Sequence, residues 1–184
     1  MTDPIQAWHT EHAYFGRLLA LLRRELDAFH SGERPNYELM LDIISYLREY
    51  SDEMHHPRED VAFARMRPRC PDLDQVLARL EQEHRVIARA GEALRKELEA
   101  ALDGAVLPRD EIEMAAATYL VYYGNHIAKE EEDVLPRAGQ VLQPADWAAV
   151  RDAVTHRHDP VFGKDAAAEA EHFRELRRHI ALEA

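Results

Sequence analysis

A chain of 184 residues suits one domain with a single sizeable core. Its formal net charge of −12 excludes a general nucleic-acid binder, and its single cysteine, Cys70, excludes an intrachain disulfide, a thiolate zinc finger and a four-Cys cluster. No apolar run approaches the roughly 20 residues of a membrane span, and the opening Met1–Trp8 lacks signal-peptide features, so a cytoplasmic protein with no membrane partner is expected.

Abundant Ala, Leu, Glu and Arg with few Gly and Pro favour helix over sheet. Asp3-Pro4 is a helix start, a capping side chain followed by proline at the first helical position. Ile5, Trp8, His12, Phe15, Leu19, Leu22, Leu26 and Phe29 then recur in alternating steps of three and four. They form an inward seam whose only polar member is His12. Ser31–Pro35 ends this helix. A second helix begins near Asn36 and carries Met40, Ile44, Leu47 and Ser51 down to His55, and Arg67–Asp72 is the next break. The third helix reads Leu73, Leu77, Leu80, His84, Ile87, Gly91, Leu94 and Leu98, again with one histidine on the seam. Asp103–Pro108 is the third turn, and a fourth helix runs from about Pro108 to Val134 on a seam of Ile112, Ala116, Tyr119, Tyr123, His126 and Glu130. Two short helices follow, from about Gln143 to Thr155 and from about Asp165 to Ala181. The expected fold is all-α, an up-down-up-down four-helix bundle over about 4–136 with two short C-terminal helices over about 143–182, in one domain. The tail is expected to pack on the bundle or to form a homodimer contact.

His126 and Glu130 project the same way from one helix face and point at the core. Burying either without a partner costs on the order of 1–3 kcal/mol, and an imidazole beside a carboxylate suits a metal ion. The halves of the chain echo each other. Glu11-His12 is followed by His55-His56-Pro57-Arg58-Glu59-Asp60, and Glu83-His84 at nearly the same interval by His126-x-x-x-Glu130-Glu131. The echo makes His55, not His56, the counterpart of His126. Residues on consecutive antiparallel helices sit level when the turn lies midway between them. The midpoints of His12 and His55, of His55 and His84, and of His84 and His126 all fall in expected turns. Four imidazoles with Glu59 and Glu130 give six ligands. If both carboxylates bridge, each of two metals receives two histidines and two carboxylate oxygens. A bridging oxide or hydroxide brings each to about five donors and leaves room for a small exogenous ligand. Mixed N/O ligation without sulfur suits Fe or Mn, with Zn the weaker fit.

Pro57 disfavours regular helix at His56, so a kink or bulge is expected around Glu53–Arg58, able to turn either His55 or His56 into the site. His9 is read as a rim residue or a partner to a ligand. Tyr123 is read as core, the alternative being that its hydroxyl reaches a ligand or the metal. Glu131, Glu132 and Asp133 are read as a solvated face from which one carboxylate could orient a histidine. His30, His156, His158, His172 and His179 lie off the seam and are expected at the surface.

These words, spanning about residues 5–136, resemble the hemerythrin-like family, the HHE cation-binding domain. The resemblance implies a non-haem di-iron centre on a four-helix bundle, with roles in O2 binding, sensing of iron or oxygen, iron handling, or responses to peroxide or nitric oxide. Carried over by position, its ligands would be His12, His55, Glu59, His84, His126 and Glu130. Oxygen carriers of the family have a His-x-x-x-His on the third helix, whereas position 88 here is Ala. The resemblance therefore favours a sensor, scavenger or binder over a reversible O2 carrier, and it leaves a coordination position that His56 could fill. Catalase-like or ferroxidase turnover, and a metal-stabilised interaction module, are the alternatives.

Overall fold

A computed structural model describes residues 3–105, 108–155, 157, 159–163 and 173–182. Every regular element among them is helical. Helix α1 spans Pro4–His30, with the Asp3 carboxylate accepting from the Ile5 N–H as its N-cap. It ends at Ser31, followed by Gly32 at φ +83°, a conformation that glycine adopts without a Cβ penalty. Helix α2 (Tyr37–Tyr46) is capped by Asn36, whose side chain accepts from the Leu39 N–H. A π-helical segment, π1 (Leu47–His55), leads directly into α3 (His56–Met66). After the turn at Pro71–Leu73 comes α4 (Asp74–Leu102), ended near Gly104 at φ +87°. Helix α5 (Arg109–Lys129) continues through π2 (Glu130–Val134) into α6 (Leu135–Val141). Helices α7 (Pro144–Arg151) and α8 (Arg174–Leu182) follow.

The irregularity expected before Pro57 is real, and it takes the form of a π register rather than a break. A proline has no N–H and its ring crowds the carbonyl four residues back. For Pro57 that carbonyl belongs to Glu53, inside π1; for Pro136 it belongs to Glu132, inside π2. The His56 N–H reaches back to the Ser51 carbonyl and the Leu135 N–H to the Glu130 carbonyl, five residues away in each case. This wider turn makes room for the ring without ending the helix. The fourth helix therefore does not stop at Val134; it runs on to Val141.

Helix α1 packs against α5, α2 against α4, and α4 against α5. Two apolar clusters result. The larger contains Phe15, Leu18, Leu22, Ile44, Ile87 and Tyr123; the smaller contains Trp8, Phe63, Leu77, Leu80, Val134 and Leu135. His12 lies between Trp8 and Phe15 in sequence, His84 between Leu80 and Ile87, and His126 between Tyr123 and Val134. The core is thus interrupted at one level by a polar layer.

The tail packs on the bundle, α7 on α3 and α8 on α2. Asp146 joins Gln143 in a capping box and accepts from Arg69 Nη1 at 2.5 Å. Helix α7 stops at Arg151 rather than Thr155. Of the helix expected over 165–181, residues 165–172 lie outside the described set, Phe173 is a turn residue at φ +57°, and α8 accounts for the rest. His30 is exposed and His179 half-buried, while His156, His158 and His172 lie outside the described residues. Among the described residues no helix is long and apolar enough to cross a membrane.

Candidate metal centre

All seven residues singled out in the sequence meet in the polar layer. His12, His55, His56, Glu59, His84, His126 and Glu130 are each at most 5% exposed. Helix α1 supplies His12, the junction of π1 and α3 supplies His55, His56 and Glu59, α4 supplies His84, and the junction of α5 and π2 supplies His126 and Glu130.

The donor atoms fall into two sets. His55 Nε2 is 3.0 Å from Glu59 Oε1, and His12 Nε2 lies 3.4 Å from the same oxygen and 3.5 Å from Glu130 Oε2. On the other side His126 Nε2 is 3.1 Å from Glu130 Oε1, and His84 Nε2 lies 3.6 Å from that oxygen and 3.5 Å from Glu59 Oε2. Each carboxylate therefore turns one oxygen to each histidine pair. His12 Nε2 and His55 Nε2 are 3.0 Å apart, the separation of two donors about 2.1 Å from one ion and at right angles to each other. Both oxygens of Glu59, both oxygens of Glu130, His84 Nε2 and His126 Nε2 are buried without a hydrogen-bond partner. Six orphaned donors aimed into one space violate the rule that buried polar atoms are paired, and a cation between them would satisfy all six. Two groups have metal-binding spacing: His12, His55 and Glu59, and His56, Glu59, His84 and His126.

The outer nitrogen of each of the four level histidines meets a carboxylate. His55 Nδ1 contacts Glu11 Oε2 at 2.5 Å, His12 Nδ1 contacts Glu131 Oε1 at 2.7 Å, His84 Nδ1 contacts Asp60 Oδ1 at 2.8 Å and His126 Nδ1 contacts Glu83 Oε2 at 3.2 Å. These contacts fix ring orientation and direct Nε2 inward. Glu11, Asp60 and Glu83 carry no role expected from the sequence, and Glu131 stands there only as one member of an acidic run. The available signal was adjacency: each of the four stands beside a site residue, yet each serves a histidine on another helix than that neighbour. His9 Nδ1 takes the second oxygen of Glu131 at 2.6 Å, which makes it both a rim residue and a partner in the network.

The choice between His55 and His56 resolves into both being inward. His55 joins the His12 set; His56 stacks on His84, with ring centroids 4.2 Å apart, and belongs to the His84 group. His56 Nε2 contacts Ser51 Oγ at 3.2 Å, and Ser51 Oγ in turn hydrogen-bonds the Tyr123 hydroxyl. Tyr123 thus reaches the site through one intermediary.

Charge reinforces the arrangement. Burial pulls the His55 pKa down, but Glu59 and Glu11 outweigh it and raise it to about 9. Burial also opposes His84, which Asp60, Glu130 and Glu59 raise to about 11. Burial pushes Glu59 up, yet His55, His12 and His84 hold it well below the usual carboxylate range. His56 differs: burial and the charges on His84 and His126 keep its pKa well below 6.5, so the ring is neutral.

A helical bundle interrupted by a buried layer of imidazoles and carboxylates is the construction of a cation-binding protein. The family model described as the hemerythrin HHE cation binding domain matches residues 3–138, and the chain belongs to that family. No curated protein and no solved structure matches the chain.

Proposed function

We propose that the chain holds two iron ions in a non-haem centre that binds or responds to O2, peroxide or nitric oxide, as a sensor, scavenger or binder. The observation that carries this reading is the division of Glu59 and Glu130, each giving one oxygen to either histidine pair. One ion would take His12 and His55, the other His84 and His126 with His56 beside them, and both would share the two carboxylates. Nitrogen and oxygen donors without sulfur favour Fe or Mn over Zn. Iron held by these residues would supply redox chemistry towards a small ligand such as O2, peroxide or nitric oxide.

The chain's own residues set the conditions for that chemistry. Glu11, Glu131, Asp60 and Glu83 hold the four imidazoles in one orientation. Trp8, Phe15 and Phe63 lie against His55, His12 and His84 and keep bulk water off them. The Tyr123–Ser51–His56 line hydrogen-bonds a neutral ring beside His84. We read the four long helical rods as alternating up and down, because the four histidines meet at one level and α1 pairs with α5, α2 with α4, and α4 with α5.

The test is anaerobic loading with Fe(II), elemental analysis, and optical spectra before and after exposure to air, peroxide and nitric oxide. Close to two irons per chain and a spectrum that changes with one of the three ligands are expected. A colourless protein with well under one iron per chain would overturn the proposal, and the same analysis would expose Mn or Zn.

A further inference from the structure

Outside the polar layer, a cavity of about 640 Å³ lies between α1, the π1–α3 junction and α7. That is the size of a small-molecule site. Its walls are apolar: Trp8, Met54, Trp147 and Val150 line it, and the two indoles meet edge-to-face with centroids 5.3 Å apart. Its charged lining is Arg58, Arg151 and Arg157 against Glu11 alone. In a chain of net charge −12 this lining is basic, although Arg157 Nη1 is paired with Glu53 Oε2 at 2.9 Å and Arg151 Nε lies 3.5 Å from Asp152 Oδ1. Glu11 is already engaged, by His55 Nδ1 at 2.5 Å and by Arg58 Nη2 at 2.6 Å. Arg58 also donates from Nε to the Met54 carbonyl at 2.9 Å, and its Nη1 makes no hydrogen bond among the described residues. Trp147, Val150 and Arg151 lie beyond residue 138, where the family match ends. One wall is therefore built by this chain's C-terminal extension rather than by the part that carries the metal motif.

We propose that this cavity binds a small organic acid with an apolar body, its carboxylate on the Arg58 and Arg151 guanidiniums and its body against the joined faces of Trp8 and Trp147. Guanidinium groups suit carboxylates by their planar, forked geometry, and the indole walls suit a hydrocarbon or aromatic body. The site reaches the polar layer by one short path: a carboxylate that draws on Arg58 competes with Glu11, and Glu11 orients His55. This link rests on the di-iron reading above; the binding itself does not.

The chain contains two tryptophans, and both line the cavity, so their emission reports its occupancy. The experiment titrates sodium octanoate, octan-1-ol and sodium acetate into metal-free and iron-loaded protein, with calorimetry for affinity and tryptophan emission for location. Octanoate is expected to bind once per chain and shift the emission, octanol to bind at least tenfold more weakly, and acetate to leave no signal. Arg151→Gln should weaken octanoate at least fivefold and leave octanol unchanged, with iron content as in the parent. Trp147→Ala should weaken both. Equal affinity for octanoate and octanol, no octanoate binding at millimolar concentration, or an emission shift that follows protein concentration because a second copy fills the cavity would each overturn the proposal. Octanoate affinity should differ at least threefold between iron-loaded and metal-free protein, as reciprocal linkage requires. Identical affinities would overturn the link to the metal while leaving the acid site standing. If no iron is taken up, the metal-free titration decides the acid site alone.

Discussion

Replacing Glu11 by Gln tests whether the outer carboxylates act on one ion each. Glu11 Oε2 lies 2.5 Å from His55 Nδ1 and 2.6 Å from Arg58 Nη2, with its side chain 15% exposed. Burial pushes its pKa up, but His55 and Arg58 outweigh that and hold the carboxyl ionised at neutral pH. Gln keeps the size and the acceptor and removes the charge. A hydrogen bond to a charged group contributes about 1.5–3 kcal/mol and a neutral one about 1, so the loss is about 1–2 kcal/mol. That corresponds to roughly a tenfold fall in affinity for the ion held by His55, at the lower end of the 10–100-fold range for such partners. The equivalent change at Glu83, whose contact with His126 Nδ1 is longer at 3.2 Å, should weaken the other ion by a smaller factor. The assay is a chelator-competition titration that resolves two binding steps. One step weakened and one unchanged in each variant, with Glu11→Gln the larger effect, is the expected pattern. Both steps unchanged, or both weakened equally, would refute the assignment of separate carboxylates to separate ions.

Four further outcomes follow from the structure. Glu59→Gln removes a carboxylate that serves both histidine pairs, so iron content should fall below one per chain, measured after anaerobic loading; loss of a single ion would argue against a shared ligand. In metal-free protein Glu59 and Glu11 raise the His55 pKa to about 9, and Asp60, Glu130 and Glu59 raise that of His84 to about 11, and ligation needs neutral rings. Metal uptake at pH 7 should therefore release protons, and affinity should rise from pH 7 to 9, as read by calorimetry in buffers of different ionisation enthalpy. For the metal-free fold the sign is opposite: the stabilisation from His55 is complete below its unfolded value of 6.5 and is lost as pH rises through about 9. Gly91→Ala would place a Cβ 3.1 Å from the buried Tyr119 ring and 3.4 Å from Arg48. Crowding of about 1–3 kcal/mol set against the roughly 0.5–1 kcal/mol that alanine returns to a helix leaves a net loss of about 1 kcal/mol, so Tm should fall by about 2–4 °C, and a rise would show that Tyr119 yields freely.

Much of this was legible in the residue order because the helical seams were clean. His12, His84 and His126 stood out as the polar members of apolar stripes, and the turns placed them level with His55. The π register was not legible, since a proline predicts a disturbance but not whether the helix breaks, kinks or widens. At Pro57 it widened and turned both His55 and His56 inward; at Pro136 it carried the helix on to Val141. The partners Glu11, Asp60 and Glu83 were hidden for a different reason. A carboxylate beside a ligand in sequence points elsewhere on its helix, and which histidine it meets depends on the packing of the neighbouring rod. The cavity under α7 was equally hidden, because Trp8 and Trp147 come together only through tertiary contact.

The most direct measurement is anomalous diffraction at the iron edge from crystals of the anaerobically loaded protein. Two peaks about 3.5–4 Å apart, one beside His12 and His55 and the other beside His84 and His126, with Glu59 and Glu130 spanning them, are predicted. A single peak, or peaks outside the polar layer, would contradict the account.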